Sequence, residues 1–111
     1  MNNRERMRAS NAKAVKWLLS KGYDWIWLKP HRIRKDKNYR TNGLHTYQID
    51  LWGIFDGLCI KEGTLYGIQI KTNAWASDKE MKAFMQDKDF GAIVINVKLT
   101  RKKYVCDARF Y

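Results

Sequence analysis

Asp50-Leu51-Trp52-Gly53-Ile54-Phe55-Asp56-Gly57-Leu58-Cys59-Ile60-Lys61, Glu62-Gly63, and Thr64-Leu65-Tyr66-Gly67-Ile68-Gln69-Ile70-Lys71-Thr72 read as two strands around a tight turn. Runs rich in β-branched and aromatic residues on either side of an Xaa-Gly pair are the signature of a hairpin. The first run, Asp50 to Ile60, is apolar on both alternating faces, as expected of a strand in the middle of a sheet. A two-residue turn pairs Lys61 with Thr64, which carries Asp56 to a place directly across from Gln69. Facing Cβ atoms then lie ~4.5–5.5 Å apart, and Lys71, the diagonal neighbour on the same face, ~7–8 Å away. A three-residue turn would shift the register by one and put Asp56 and Gln69 on opposite faces.

Working outward, the segment from about Arg4 to Lys21 holds no Gly or Pro and places Ala12, Val15, Leu18 and Leu19 on one face at the helical period, with Gly22 set to end it. Asp24 to Leu28 reads as a short strand stopped by Pro30. Ser77 and Glu80 form a capping box that opens a second helix carrying Met81, Phe84 and Met85 on one side. Ala92 to Val97 is a buried type of strand, and Tyr104 to Tyr111 follows as a last strand after the basic turn Arg101-Lys102-Lys103. The order helix, three strands, helix, two strands predicts an α/β domain with a mixed central sheet flanked by helices.

A chain of 111 residues supports one domain, and 45% hydrophobic residues with a single Pro mark it as a folded globule. Its net charge of +11 therefore belongs on the surface of a compact body and implies a polyanionic partner. The excess resides in Met1–Lys16, Lys29–Arg40 and Arg101–Lys103, and the rest, including the hairpin, is close to neutral. No apolar run approaches the ~20 residues of a membrane span, and Met1 to Ser10 lacks the apolar core of a signal peptide. A cytoplasmic protein with no membrane partner is expected, in the host cytoplasm if the gene is a phage's. Cys59 and Cys106 have no partners at metal-ligand spacing and read as small core residues.

A carboxylate, an amide oxygen and an ammonium converging on a mostly apolar face are costly unless paired or bound to something. Two readings fit. One is an Asp56–Lys71 ion pair braced by Gln69. The other is a hard-cation site in which Asp56 and Gln69 supply oxygen ligands suited to Mg²⁺ or Mn²⁺, while Lys71 acts on an attacking water.

Asp56, twelve intervening residues, then Gln69-Ile70-Lys71 on a returning strand resembles the PD-(D/E)xK nuclease superfamily, which includes restriction endonucleases and Holliday junction resolvases. The order of elements is also similar to that superfamily's restriction-endonuclease-like core. The match is closest to small phage and bacterial resolvase-like members reading Asp-Leu-aromatic-Gly-x-x-Asp, here Asp50 to Asp56. The resemblance implies metal-dependent DNA cleavage, with Asp56, Gln69 and the Ile70 backbone carbonyl as ligands and Lys71 as catalytic lysine. Three positions depart from the pattern. Phe55 stands where the motif has Pro, Gln69 where an acid is usual, and Asn11 where many relatives carry a helical Glu. Glu5, the only acid on the first helix, lies ~80° around from the Val15 face and would serve only from the rim.

Asp50 shares a face with Asp56, but six residues of strand put it about 20 Å away, so it is a secondary candidate brought closer only by a bend at Gly53. Lys29, Arg32, Arg34, Lys35, Lys37 and Arg40 form the densest positive segment and are candidate phosphate contacts, with His31 and His45 in the same stretch. Trp75, between Lys71 and the capping box, is a candidate base-stacking residue. Trp17, Trp25, Trp27 and Trp52 are expected in the core. The function expected is a metal-dependent DNA endonuclease, acting on two strands most easily as a homodimer. The alternative is a catalytically inactive nuclease-fold protein that binds nucleic acid or inhibits or assists a nuclease, a reading favoured by Gln69 and Asn11.

Overall fold

The computed structural model describes residues 3–29, 51–101 and 103–111. In chain order the elements are α1 (Asn3–Ser20), β1 (Trp25–Leu28), β2 (Gly57–Lys61), β3 (Thr64–Thr72), α2 (Asp78–Met85), β4 (Gly91–Thr100) and β5 (Lys103–Phe110). They build an α/β fold around one mixed five-stranded sheet of order β1-β2-β3-β4-β5. The pairs β1–β2, β2–β3 and β4–β5 are antiparallel, whereas β3 and β4 run parallel. That parallel step requires a crossover, and α2 supplies it.

The hairpin closes as its turn chemistry dictates. Lys61 pairs with Thr64 and the register runs to Gly57 opposite Ile68, with Glu62 and Gly63 both at positive φ as a two-residue turn requires. The expected strand from Asp50 does not extend that far. Leu51 to Phe55 instead forms a turn closed by an isolated Leu51–Phe55 bridge, with Trp52 and Gly53 at φ 59° and 68°. The apolar run is packed by a cluster of rings rather than by strand neighbours: Phe55, fully buried, lies 5.8 Å from Phe84 and 6.1 Å from Phe90 between ring centres.

Each face of the sheet carries a helix because β4 is buried along both. Ile93, Ile95 and Val97 join Ala14 and Leu18 of α1 on one face, with Cys59, Ile68 and Tyr23. Ala92 and Val94 join Met81 of α2 and Phe55 on the other. Burial pushes the Cys59 thiol up to about 12, so it is an inert core group. The stripe that α1 buries is Ser10, Ala14 and Leu18; of the expected face Leu18 is buried and Val15 half-buried, while Ala12 and Leu19 are exposed. The helix ends at Gly22, where Tyr23 N–H bonds the Leu18 carbonyl and Gly22 N–H that of Leu19. Ser77 caps α2, its Oγ accepting from Glu80 N–H at 3.3 Å.

Three of the tryptophans expected in the core lie largely outside it. Trp25, Trp27 and Trp52 are 47%, 37% and 58% exposed, because Ile26 and Leu28 take the inward positions of β1 and the turn at Gly53 lifts Trp52 to the edge of the aromatic cluster. No helix among the described residues is long and apolar enough to cross a membrane.

Gly67 is required by this packing. A Cβ at that position would meet the Phe55 ring at 2.7–2.8 Å. Gly67→Ala is therefore expected to destabilise the fold by about 1–3 kcal/mol, read as a lowered denaturation midpoint, because neither a fully buried ring nor a central strand yields easily.

Candidate active site

Asp56 sits where three strands meet. Its N–H donates to the Ile68 carbonyl at 2.7 Å, and its own carbonyl accepts from Lys29 N–H at 2.8 Å just beyond β1. These bonds hold the backbone on both sides, one residue before the β2–β3 ladder begins. Asp56 is thus not a ladder partner of Gln69 as the simple register implies: its N–H is spent on Ile68, and the chain turns so that its carboxylate Oδ2 accepts from Ile70 N–H at 2.7 Å. A charge-assisted bond of this kind fixes the carboxylate's direction. Because the N–H and C=O of a strand residue leave the same edge, the Ile70 carbonyl leaves β3 on the side of the N–H that bonds Asp56.

Asp56, Gln69, Ile70, Lys71 and Thr72 line one cavity of about 440 Å³ whose other wall is α1. From α1 come Arg6, Met7, Ser10 and Asn11. The helix is tied to the strand by Ser10 and Thr72, whose hydroxyls share a 2.5 Å hydrogen bond. Ser10 is 1% exposed, so the contact is a buried tether that sets how α1 faces the end of β3.

Two features decide what the cavity can do. No ion pair forms between Asp56 and Lys71, which leaves the simple structural pairing unmade among the described residues. Among the described residues Gln69 Oε1 is buried without a hydrogen-bond partner, and a buried acceptor left so costs about 1–3 kcal/mol. A hard cation fits this donor set: one directed carboxylate, one amide oxygen without a partner among the described residues and one backbone carbonyl on the same strand edge are all oxygen ligands. Among the described residues no group of three or more His, Cys, Asp and Glu gathers. Few protein oxygens suit an ion that keeps several of its waters, as Mg²⁺ does.

The other candidates fall as follows. Asn11, which stands where many members of the superfamily that the motif resembles carry Glu, lines the cavity. Glu5 is exposed and not part of the lining. Lys29 is half-buried and touches the site through its backbone bond to Asp56. Asp50, Arg32, Arg34, Lys35, Lys37 and Arg40, with His31 and His45, lie outside the described residues. Trp75 is half-buried beside the α2 core, and its ring carries the Arg109 guanidinium at 4.1 Å, so that face is occupied by a cation. Arg6, Met7, Ser10 and Thr72 were missed. The available signal was Arg6 and Ser10 one helical turn apart, in line with Ala14 and Leu18.

No family model, curated protein or solved structure matches the chain.

Proposed function

We propose that the chain is a Mg²⁺- or Mn²⁺-dependent endodeoxyribonuclease with a restriction-endonuclease-like core, cutting phosphodiester bonds in branched DNA in the manner of the resolvases it resembles. The observation that carries this reading is that Gln69, whose Oε1 is buried without a hydrogen-bond partner among the described residues, lines one cavity with Asp56 and Lys71. The topology supports it, with three antiparallel strands followed by a helical crossover to a parallel fourth. The net charge of +11 suits a polyanionic substrate.

Asp56, Gln69 and the Ile70 carbonyl would hold the cation, which when bound supplies polarisation of the phosphoryl group and neutralisation of its charge. Ile70 N–H keeps the Asp56 carboxylate directed. Lys71, free of any carboxylate partner among the described residues, orients the attacking water and donates to the oxygens that gain charge as the new P–O bond forms and the old one breaks. Water is the nucleophile and the leaving sugar oxygen takes up a proton. A pair of chains would serve the two strands of a duplex.

A second reading, a binding module of the same fold without activity, is favoured by Asp56 being the only carboxylate lining the cavity among the described residues. Calorimetric titration with Mn²⁺ separates the two. The nuclease reading expects one site that Asp56→Asn removes and that Gln69→Glu tightens roughly tenfold by adding a charged ligand. Absence of any Asp56-dependent site favours the binding module and overturns the nuclease.

A further inference from the structure

The cavity holds more positive charge than a cation site needs. Arg6 from α1 and Lys71 from β3 both line it, against, among the described residues, the single carboxylate of Asp56, one of whose oxygens is already engaged by Ile70 N–H. Neither Arg6 nor Lys71 enters an ion pair among the described residues. Unpaired cations on opposite walls of one concavity focus field on whatever anion enters it. Arg6 presents the planar fork of donors that matches phosphate oxygens, and Lys71 a point charge. The Ser10–Thr72 tether holds the wall that carries Arg6 against the strand that carries Lys71.

We propose that Arg6 and Lys71 together grip a DNA phosphate in this cavity directly, without a metal ion. Resting on the nuclease reading for its choice of DNA as ligand, this assigns Arg6 a phosphate-binding role that precedes and does not require the cation. Replacement of the usual acid by Gln69 then has a consequence for binding. A site with one carboxylate holds cations less firmly, but it repels a phosphate less, so the substrate can dock first.

The test is fluorescence anisotropy of a short fluorescein-labelled duplex with the full chain in EDTA across a salt series. The variants are Arg6→Ala, Lys71→Ala, the double variant and Arg8→Ala, the last an exposed α1 arginine that does not line the cavity. Arg6→Ala is expected to weaken binding about tenfold and to lower the salt slope by about 1. The double variant should lose less than the product of the two single losses, because both side chains act on one phosphate. Arg8→Ala should change affinity less than Arg6→Ala does. Wild-type affinity in Arg6→Ala, multiplicative losses in the double variant, or an equal loss in Arg8→Ala would each overturn the proposal. Since Arg6 is exposed, its removal should leave the unfolding transition in place. Gripping in EDTA with no cleavage in Mg²⁺ sinks the nuclease reading and keeps the phosphate site, whereas cleavage with Arg6→Ala binding as wild type does the reverse.

Discussion

Asp56→Asn is expected to lower the rate of DNA cleavage in Mg²⁺ by about 10²–10³-fold, the usual cost of removing one directed electrostatic group from a reacting centre. The substitution is chosen because it changes charge without removing the acceptor. An Asn Oδ1 still accepts from Ile70 N–H, the bond that Asp56 Oδ2 makes at 2.7 Å, and the backbone bonds to Ile68 and Lys29 are independent of the side chain. The denaturation midpoint should therefore stay close to wild type while activity falls. Lys71→Ala should give a loss of similar size in the same assay, because no neighbouring carboxylate is left behind unpaired among the described residues. A folded Asp56→Asn protein that cuts at the wild-type rate would contradict the role given to this carboxylate.

Phe55→Ala is expected to cost about 3–5 kcal/mol of folding stability, the range for truncating a fully buried aromatic. Phe55 is 0% exposed, and ring centres of Trp52, Phe84 and Phe90 lie 6.2, 5.8 and 6.1 Å from its own. Truncation leaves a cavity beneath the turn that sets Asp56, and for a domain of this size the melting temperature should fall by roughly 10–20 °C. Phe55→Leu, which keeps most of the volume, should recover a large part of the loss. A shift of a few degrees in the alanine variant would mean that the ring cluster is not what holds the Leu51–Phe55 turn. The result also bears on the departure at this position: Phe55 stands where the motif it resembles has Pro, and burial explains an aromatic there.

The elements set by local chemistry were legible in the sequence. Glu62-Gly63 forms the turn, Ser77 caps α2 and Gly22 stops α1, because in each case a short-range bond or a positive φ decides the outcome. The buried strand from Ala92 was legible too, since six consecutive apolar or amide residues fit a strand covered on both faces. What failed depended on tertiary packing. An apolar run looks alike as a central strand and as a turn plugged into an aromatic cluster, so the stretch from Asp50 reads as strand although Gly53 permits the turn. The buried stripe of α1 was misplaced because its first member is polar: Ser10 goes inside only because Thr72, sixty-two residues away, satisfies its hydroxyl.

The site divides in the same way. Asp56, Gln69, Ile70 and Lys71 follow from the hairpin, and the structure brings them to one cavity. The bond from Ile70 N–H to the Asp56 carboxylate does not follow, because it needs the ladder to end at Gly57. Nor does Arg6, which joins the cavity lining because α1 is tied to the end of β3 through Ser10 and Thr72.

The most direct measurement is cleavage of branched, duplex and single-stranded DNA by the wild-type chain in Mg²⁺ or Mn²⁺, with Lys71→Ala run beside it. Metal-dependent cutting of at least one substrate, strongest on branched DNA and lost in Lys71→Ala, is the predicted result. No cutting of any of the three, or cutting that Lys71→Ala retains in full, would contradict it.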